Sequence, residues 1–188
     1  GKSDEDKRDR ILAGANSLNS QQFENAAFEL LNEAVKQSPL DFELRYARAL
    51  QAETMNKTEL ALNDLREVIA QSPNHIDALN ALGYTLAEHN QKLDEAHDLI
   101  NRAFAQRPTS AAIIDSLGWV SFRKGDKQKA ADYLRRAYAL DQEPEIAAHY
   151  GEVLWAIGEK KKAREVWTEA LELDPDNKQI KARLAKFK

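Results

Sequence analysis

The chain has 188 residues and no cysteine, one methionine, five prolines and seven glycines. Without cysteine there are no disulfides, no thiolate metal ligands and no cysteine nucleophile. The redox compartment stays open, because oxidising and reducing locations both tolerate such a chain. No stretch approaches the roughly 18 consecutive apolar residues of a membrane span, so no membrane contact is expected of this segment itself. No secretory leader is visible, and the chain starts on Gly1 rather than Met, as a processed or excised piece would. Equally absent are a glycine-rich phosphate loop, a His-Glu-x-x-His helix and a nucleophile elbow. The sequence therefore predicts no enzyme, no cofactor and no resident metal.

What is present is helix-forming and charged. Charged residues make up 31% and hydrophobic residues 43% of the chain, enough apolar surface for a core. Ala, Leu, Glu, Lys, Gln and Arg dominate, the strong helix formers. The net charge of −4 is unevenly placed: residues 144–177 alone carry −4, whereas the last eleven residues hold five bases and no acid. Such a tail suits an acidic partner. Nucleic acid is not expected, since no broad basic surface accompanies it.

The few prolines and glycines are regularly spaced. Pro39, Pro73, Pro108, Pro144 and Pro175 are separated by 34, 35, 36 and 31 residues, and Gly83, Gly118 and Gly151 by 35 and 33. A period near 34 signals a helical repeat array. Aligning the small residues gives five units, 8–41, 42–75, 76–110, 111–143 and 144–177. Their eighth positions are Ala15, Ala49, Gly83, Gly118 and Gly151. Ala27, Ala61, Ala96, Ala130 and Ala163 recur further on, followed seven residues later by Ala34, Val68, Ala103, Ala137 and Ala170. Each unit reads as two antiparallel helices. Gly125 and Gly158 supply the positive φ between them, and the small eighth residue lets the two backbones approach closely. Residues 1–7 have no apolar side chain and are expected to be disordered. Residues 178–188 place Ile180, Leu184 and Phe187 on one helical face and five bases elsewhere. That is a capping helix, with a basic docking site as the other reading.

This pattern resembles the tetratricopeptide repeat (TPR). The last unit carries Gly151, Ala163, Trp167, Ala170 and Pro175, the fourth Leu117-Gly118, Ala130 and Ala137, and the third Leu82-Gly83, Ala96, Ala103 and Pro108. The first two units have Ala for Gly, and Arg48 stands where Leu is usual. Over residues 8–177 the resemblance implies a right-handed α-solenoid of about five helix-turn-helix repeats plus a capping helix. It also implies a concave groove, lined by the first helix of each pair, that holds a protein or peptide. The partner-binding residues so implied are Tyr46, Asn80, Tyr84, Asp115, Trp119, Phe122, Arg123, His149, Glu152 and Trp155, with Glu53 and Ser116 beside them. Asn16 and Asn80 would bond an extended peptide backbone. The competing reading makes Trp119 and Trp155 core residues and lets the C-terminal helix cover the last groove; Trp167, on a second helix, reads as core. Inward Asp9, Glu43, Asp77, Asp115 and Glu145 leave no clamp for a pair of carboxylates and favour basic or apolar segments.

Three segments, Ala78–Ala87, Asp115–Val120 and Ala148–Trp155, are similar to the C-terminal region of proteobacterial TPR lipoproteins of the cell envelope. One such family acts as an outer-membrane adaptor for a periplasmic carboxyl-terminal processing protease. That resemblance implies a periplasmic location, the lipid-bearing cysteine lying outside this piece. Two alternatives stay open from the residues themselves: a homo-oligomerising assembly module, and a metal-assisted hydrolase built on His149, Glu152 and Asp115. His97 is expected to face solvent.

Overall fold

The computed structural model describes residues 2–187, and all regular structure among them is helical. The elements are α1 (Lys2–Ser20), α2 (Glu24–Gln37), α3 (Phe42–Thr54), α4 (Thr58–Gln71), α5 (Ile76–Glu88), α6 (Leu93–Gln106), α7 (Ala111–Arg123), α8 (Lys127–Leu140), α9 (Pro144–Ala156), α10 (Lys160–Leu173) and α11 (Lys178–Lys186). The chain divides into two compact units, Gly1–Thr85 and Leu86–Lys188, and the division falls inside α5. In the first unit α1 packs on α2, α2 on α3 and α3 on α4, and α1 also meets α3. In the second the succession runs α6 to α10, α7 meets α9, and α11 lies against both α9 and α10. The fold is therefore an all-α array of helix pairs.

One expectation fails at the N-terminus: residues 2–7 are helical rather than disordered. A helix already nucleated downstream extends at little cost. Here Asp4 and Glu5 also complement the positive end of the helix dipole, and Arg8 reaches Glu5 one turn away at 3.6 Å. Gly1 and Lys188 lie outside the described residues. Elsewhere the ends are chemically fixed. Asp41 accepts from the backbone N–H of Glu43 and Leu44, Asp126 from that of Lys129, and Asn177 from that of Ile180. Pro144, with φ preset and no N–H to lose, opens α9.

The turn inside each pair repeats with one geometry. The fifteenth residue of every unit has positive φ: Gln22 (64°), Asn56 (56°), Asn90 (53°), Gly125 (91°) and Gly158 (93°). Only the two glycines announce this in the sequence. In the third unit the extra residue adds a second left-handed position, Lys92 (40°).

At Gly118 and Gly151 the eighth-position glycine makes room for a side chain of the second helix. A Cβ on Gly118 would lie 2.5 Å from Leu134 Cγ, and one on Gly151 would run into the Trp167 indole. Leu134 and Trp167 occupy the same place on α8 and α10, four residues after Ala130 and Ala163. Both are fully buried. The missing Cβ thus admits a large side chain of the second helix, which fills the middle of the pair. On α11, Ile180 is fully buried and Leu184 and Phe187 pack against the same core.

In the second repeat, 42–75, the neighbouring seventh position is polar. Arg48, at the place Leu117 takes in the fourth repeat, donates through Nε and Nη2 to the two Asp64 carboxylate oxygens, both at 2.8 Å. Its Nη1 donates to Asn32 Oδ1 at 2.9 Å. Arg45 donates to Asp64 at 3.1 Å and to the Pro39 carbonyl at 2.7 Å. Asp64 is 2% exposed and Arg48 9%, so each depends on the other for compensation.

Urea unfolding reads both the ion cluster and the turns. Asp64→Ala is expected to cost roughly 3–5 kcal/mol, whereas the triple change Arg45→Leu, Arg48→Leu and Asp64→Leu, which removes both cations with their shared carboxylate, is near neutral. Gln22→Gly is expected to gain about 0.5–1 kcal/mol by relieving a left-handed side-chain residue, and Gly158→Ala to lose about 1 kcal/mol.

Candidate functional site

The first helices of the pairs present two sites, one in each unit. In the second unit the centre is a buried polar stack. Asp115 on α7 and His149 on α9 stand 34 residues apart, one repeat. His149 Nδ1 lies 3.1 and 3.0 Å from the two Asp115 oxygens. Trp119 lies flat on the imidazole, ring centres 4.2 Å apart, and its Nε1 donates to Glu88 Oε2 at 2.7 Å. Phe122 leans on Trp119 at 5.5 Å, and the Arg123 guanidinium sits 5.7 Å from the indole.

Burial on its own pulls the His149 pKa down, since it disfavours the cation. The charge and hydrogen bond of Asp115, with smaller help from Glu145 and Glu88, outweigh it, and the net direction is up. A cationic imidazole stacked on indole gains further from the ring quadrupole.

This corrects part of the expected binding surface. His149 (1% exposed), Trp119 (3%) and Asp115 (4%) are buried, and Ser116 is spent on the Ala112 carbonyl. The reason is the contact between α7 and α9: these positions lie in the seam between consecutive first helices. Trp155 is half-buried, 6.3 Å from Trp167 and 5.4 Å from Phe187, so α11 does cover it. Tyr46 packs on His75 at 5.2 Å, and Asn80 and Tyr84 are half-buried on α5. His97, expected in solvent, is partly buried with its ring 3.0 Å from the Asn101 amide.

Phe122, Arg123 and Glu152 remain partly accessible, the last two lining a cleft of about 190 Å³. Trp119 and Arg123 come from α7, Glu152 from α9, and Arg183, Lys186 and Phe187 from α11 and its end, with Glu88 at one side. Arg183 Nε is 3.6 Å from Glu152 Oε2. Sequence reasoning missed Glu88 and kept the α11 bases apart from the groove, as a capping helix or a separate basic docking site. The available signal was the repeat period itself, because α11 begins where a sixth first helix would.

In the first unit a seat of about 240 Å³ lies between α1 and α3, lined by Leu12, Asn16, Asn19, Leu50, Gln51 and Thr54 among others. Leu50 is 44% exposed. Asn19 donates to Gln51 Oε1 at 2.7 Å, and Gln51 donates to the Glu24 carbonyl at 3.4 Å. Leu50 holds the same repeat position as Tyr84, Trp119 and Glu152, so the register already pointed to it, though only Asn16 of this seat was expected.

The metal-hydrolase alternative loses its ligand set. Glu152 turns toward Arg183, and among the described residues no three His, Asp or Glu side chains gather as metal ligands. Nor is any helix of the described residues long and apolar enough to cross a membrane.

Stacked helix pairs with a left-handed fifteenth residue and a side chain seated over the eighth define a helical-repeat protein. Two profiles described as Tetratricopeptide repeat match residues 46–111 and 90–145, and residues 144–187; the chain belongs to the tetratricopeptide repeat family. TPR repeat-containing protein PA4667 of Pseudomonas aeruginosa is 40% identical over 141 residues, covering 75% of this chain and 24% of that protein. Protein O-mannosyl-transferase TMTC1 of Homo sapiens is 26% identical over 182 residues, 93% of this chain and 20% of that protein. The chain thus spans about a quarter or less of these relatives. The crystal structure of TTC0263, a thermophilic TPR protein of Thermus thermophilus, superposes with a TM-score of 0.81 at 24% identity, covering 95% of this chain and 97% of that one. That likeness shows the fold. TPR proteins are generally non-catalytic scaffolds whose repeats bind protein partners.

The buried pair makes stability depend on pH. The His149 pKa is raised on folding, so its contribution is complete below the ordinary value of 6.5 and is lost as pH rises through the elevated folded value. Urea midpoints measured from about pH 6 to about pH 9 are expected to fall with pH, and Asp115→Asn is expected to flatten that fall.

Proposed function

We propose that this chain is a non-catalytic, protein-binding segment of an envelope TPR adaptor, located in the periplasm, whose partner is a carboxyl-terminal processing protease. The observation that carries the binding role is Leu50. It is a large apolar side chain left 44% exposed on the first-helix face, next to Asn16 and Thr54. An apolar anchor rimmed by amides and a hydroxyl is the usual composition of a protein-recognition seat. The envelope setting and the protease are supported by the similarity of segments 78–87, 115–120 and 148–155 to that adaptor family. Within those segments Trp119, Asp115 and His149 hold the surface in shape rather than touch the partner, and contact falls to accessible neighbours such as Arg123 and Glu152.

Biolayer interferometry with the immobilised chain tests this. A purified periplasmic carboxyl-terminal processing protease is expected to be captured. Leu50→Glu, with an unchanged melting temperature, should weaken capture by about tenfold or more, as loss of a central anchor does. A chain that captures no such protease, or a Leu50→Glu variant that binds like the parent, overturns the proposal.

A further inference from the structure

The cleft between α7, α9 and α11 has a charge balance opposite to that of the chain as a whole. Its wall holds three cations, Arg123, Arg183 and Lys186, and two carboxylates, Glu88 and Glu152. Both carboxylates are engaged inside the wall, Glu88 by the Trp119 indole N–H at 2.7 Å and Glu152 by Arg183 at 3.6 Å. Arg123 and Lys186 instead lie against aromatic rings, 5.7 Å from Trp119 and 4.8 Å from Phe187. Neither has an ion-pair partner among the described residues. Arg183 Nε is buried and lacks a hydrogen-bond acceptor, so the guanidinium is held at a distance that leaves it incompletely satisfied.

We propose that this cleft binds one carboxylate, the side chain of an aspartate or glutamate within an extended partner segment. The inference rests on the reading that the chain binds a protein partner. Charge sets the ligand class. The wall carries a net of one positive charge, which a single carboxylate neutralises; a phosphate dianion would leave an excess facing Glu88 and Glu152. Size agrees: 190 Å³ is on the order of six water volumes at about 30 Å³ each, room for one acidic side chain and too little for a nucleotide. The ring of Phe187 offers an apolar edge for the ligand's neighbouring residue. The half-enclosed setting strengthens a charge-assisted hydrogen bond relative to open water. The acidic groove expected from the sequence would have repelled such a ligand. The α11 bases reverse that at this end.

The test is an ¹⁵N-labelled NMR titration of the chain with pentapeptides acetylated and amidated at their ends, carrying a central Glu between leucines or the same peptide with Gln. The Glu peptide is expected to shift the Trp119 indole N–H resonance and to bind roughly tenfold tighter than the Gln peptide. Arg123→Gln and Lys186→Gln, each checked for an unchanged circular dichroism melt, should each remove most of that preference. Raising salt from about 50 to about 500 mM should weaken the Glu peptide alone. Equal binding of the two peptides, or an undiminished preference in both variants, overturns the proposal. So does binding that appears only when the C-terminus is left free, since the site would then read a chain end. Capture of the protease without a Glu preference would leave the proposed function standing and sink this inference alone; a Glu preference without protease capture would do the reverse.

Discussion

At the C-terminal end the structure depends on one side chain filling the space of another that is missing. Trp167 occupies the volume over Gly151. Its Nε1 is 3.4 Å from the Ala148 carbonyl, and its ring stacks on Phe187 at 5.3 Å. Through it α10 is locked to α9, and α11 is locked to both. An indole buries on the order of 200 Å², so the contact is a large share of what holds a nine-residue helix that would be marginal alone. With α11 fixed, Arg183 and Lys186 have a defined place in the cleft. The charge that the cleft offers is thus a consequence of a glycine in another helix.

The polar stack one repeat earlier has a different character. Removing Asp115 and His149 from water costs several kcal/mol per ion before pairing, and two leucines would fill the seam without that cost. What the pair adds is direction. A carboxylate must meet an imidazole at both oxygens, and the indole above it must reach Glu88, so α7 and α9 have one admissible register. The arrangement explains how aromatic side chains next to an accessible cleft can be buried and still shape it.

Much of the fold was legible because repeat periodicity is a property of the sequence itself. Five helix pairs, their turns and the packing face of α11 all follow from positions counted along the chain. The site was legible in place and not in exposure. Asp115 and His149 are one repeat apart and so fall side by side, which spacing can say. Whether two neighbouring first helices leave a gap or close on each other depends on side-chain volumes in three dimensions, which spacing cannot say. The eighth-position glycine shows the same limit: its smallness was visible, but its purpose required knowing that Leu134 or Trp167 points at it. Arg48 was visible only as a departure from Leu. Its meaning came from Asp64 and Asn32, two residues with no signal of their own.

The charge of the inner surface shows why counting ionisable groups misjudges specificity. Acids outnumber bases among the inward positions of the first helices, and the total charge is −4, so a basic ligand was the natural expectation. A partner, however, meets only charges that are accessible and not already committed. In the second unit Asp115 is buried against His149, Glu88 is tied to the Trp119 indole, and Glu152 faces Arg183. The cations, carried on long stems that reach across to aromatic rings, are the groups left with unused capacity. Selectivity is therefore set by which members of each ion pair are spent in holding the fold, and here the fold spends its acids.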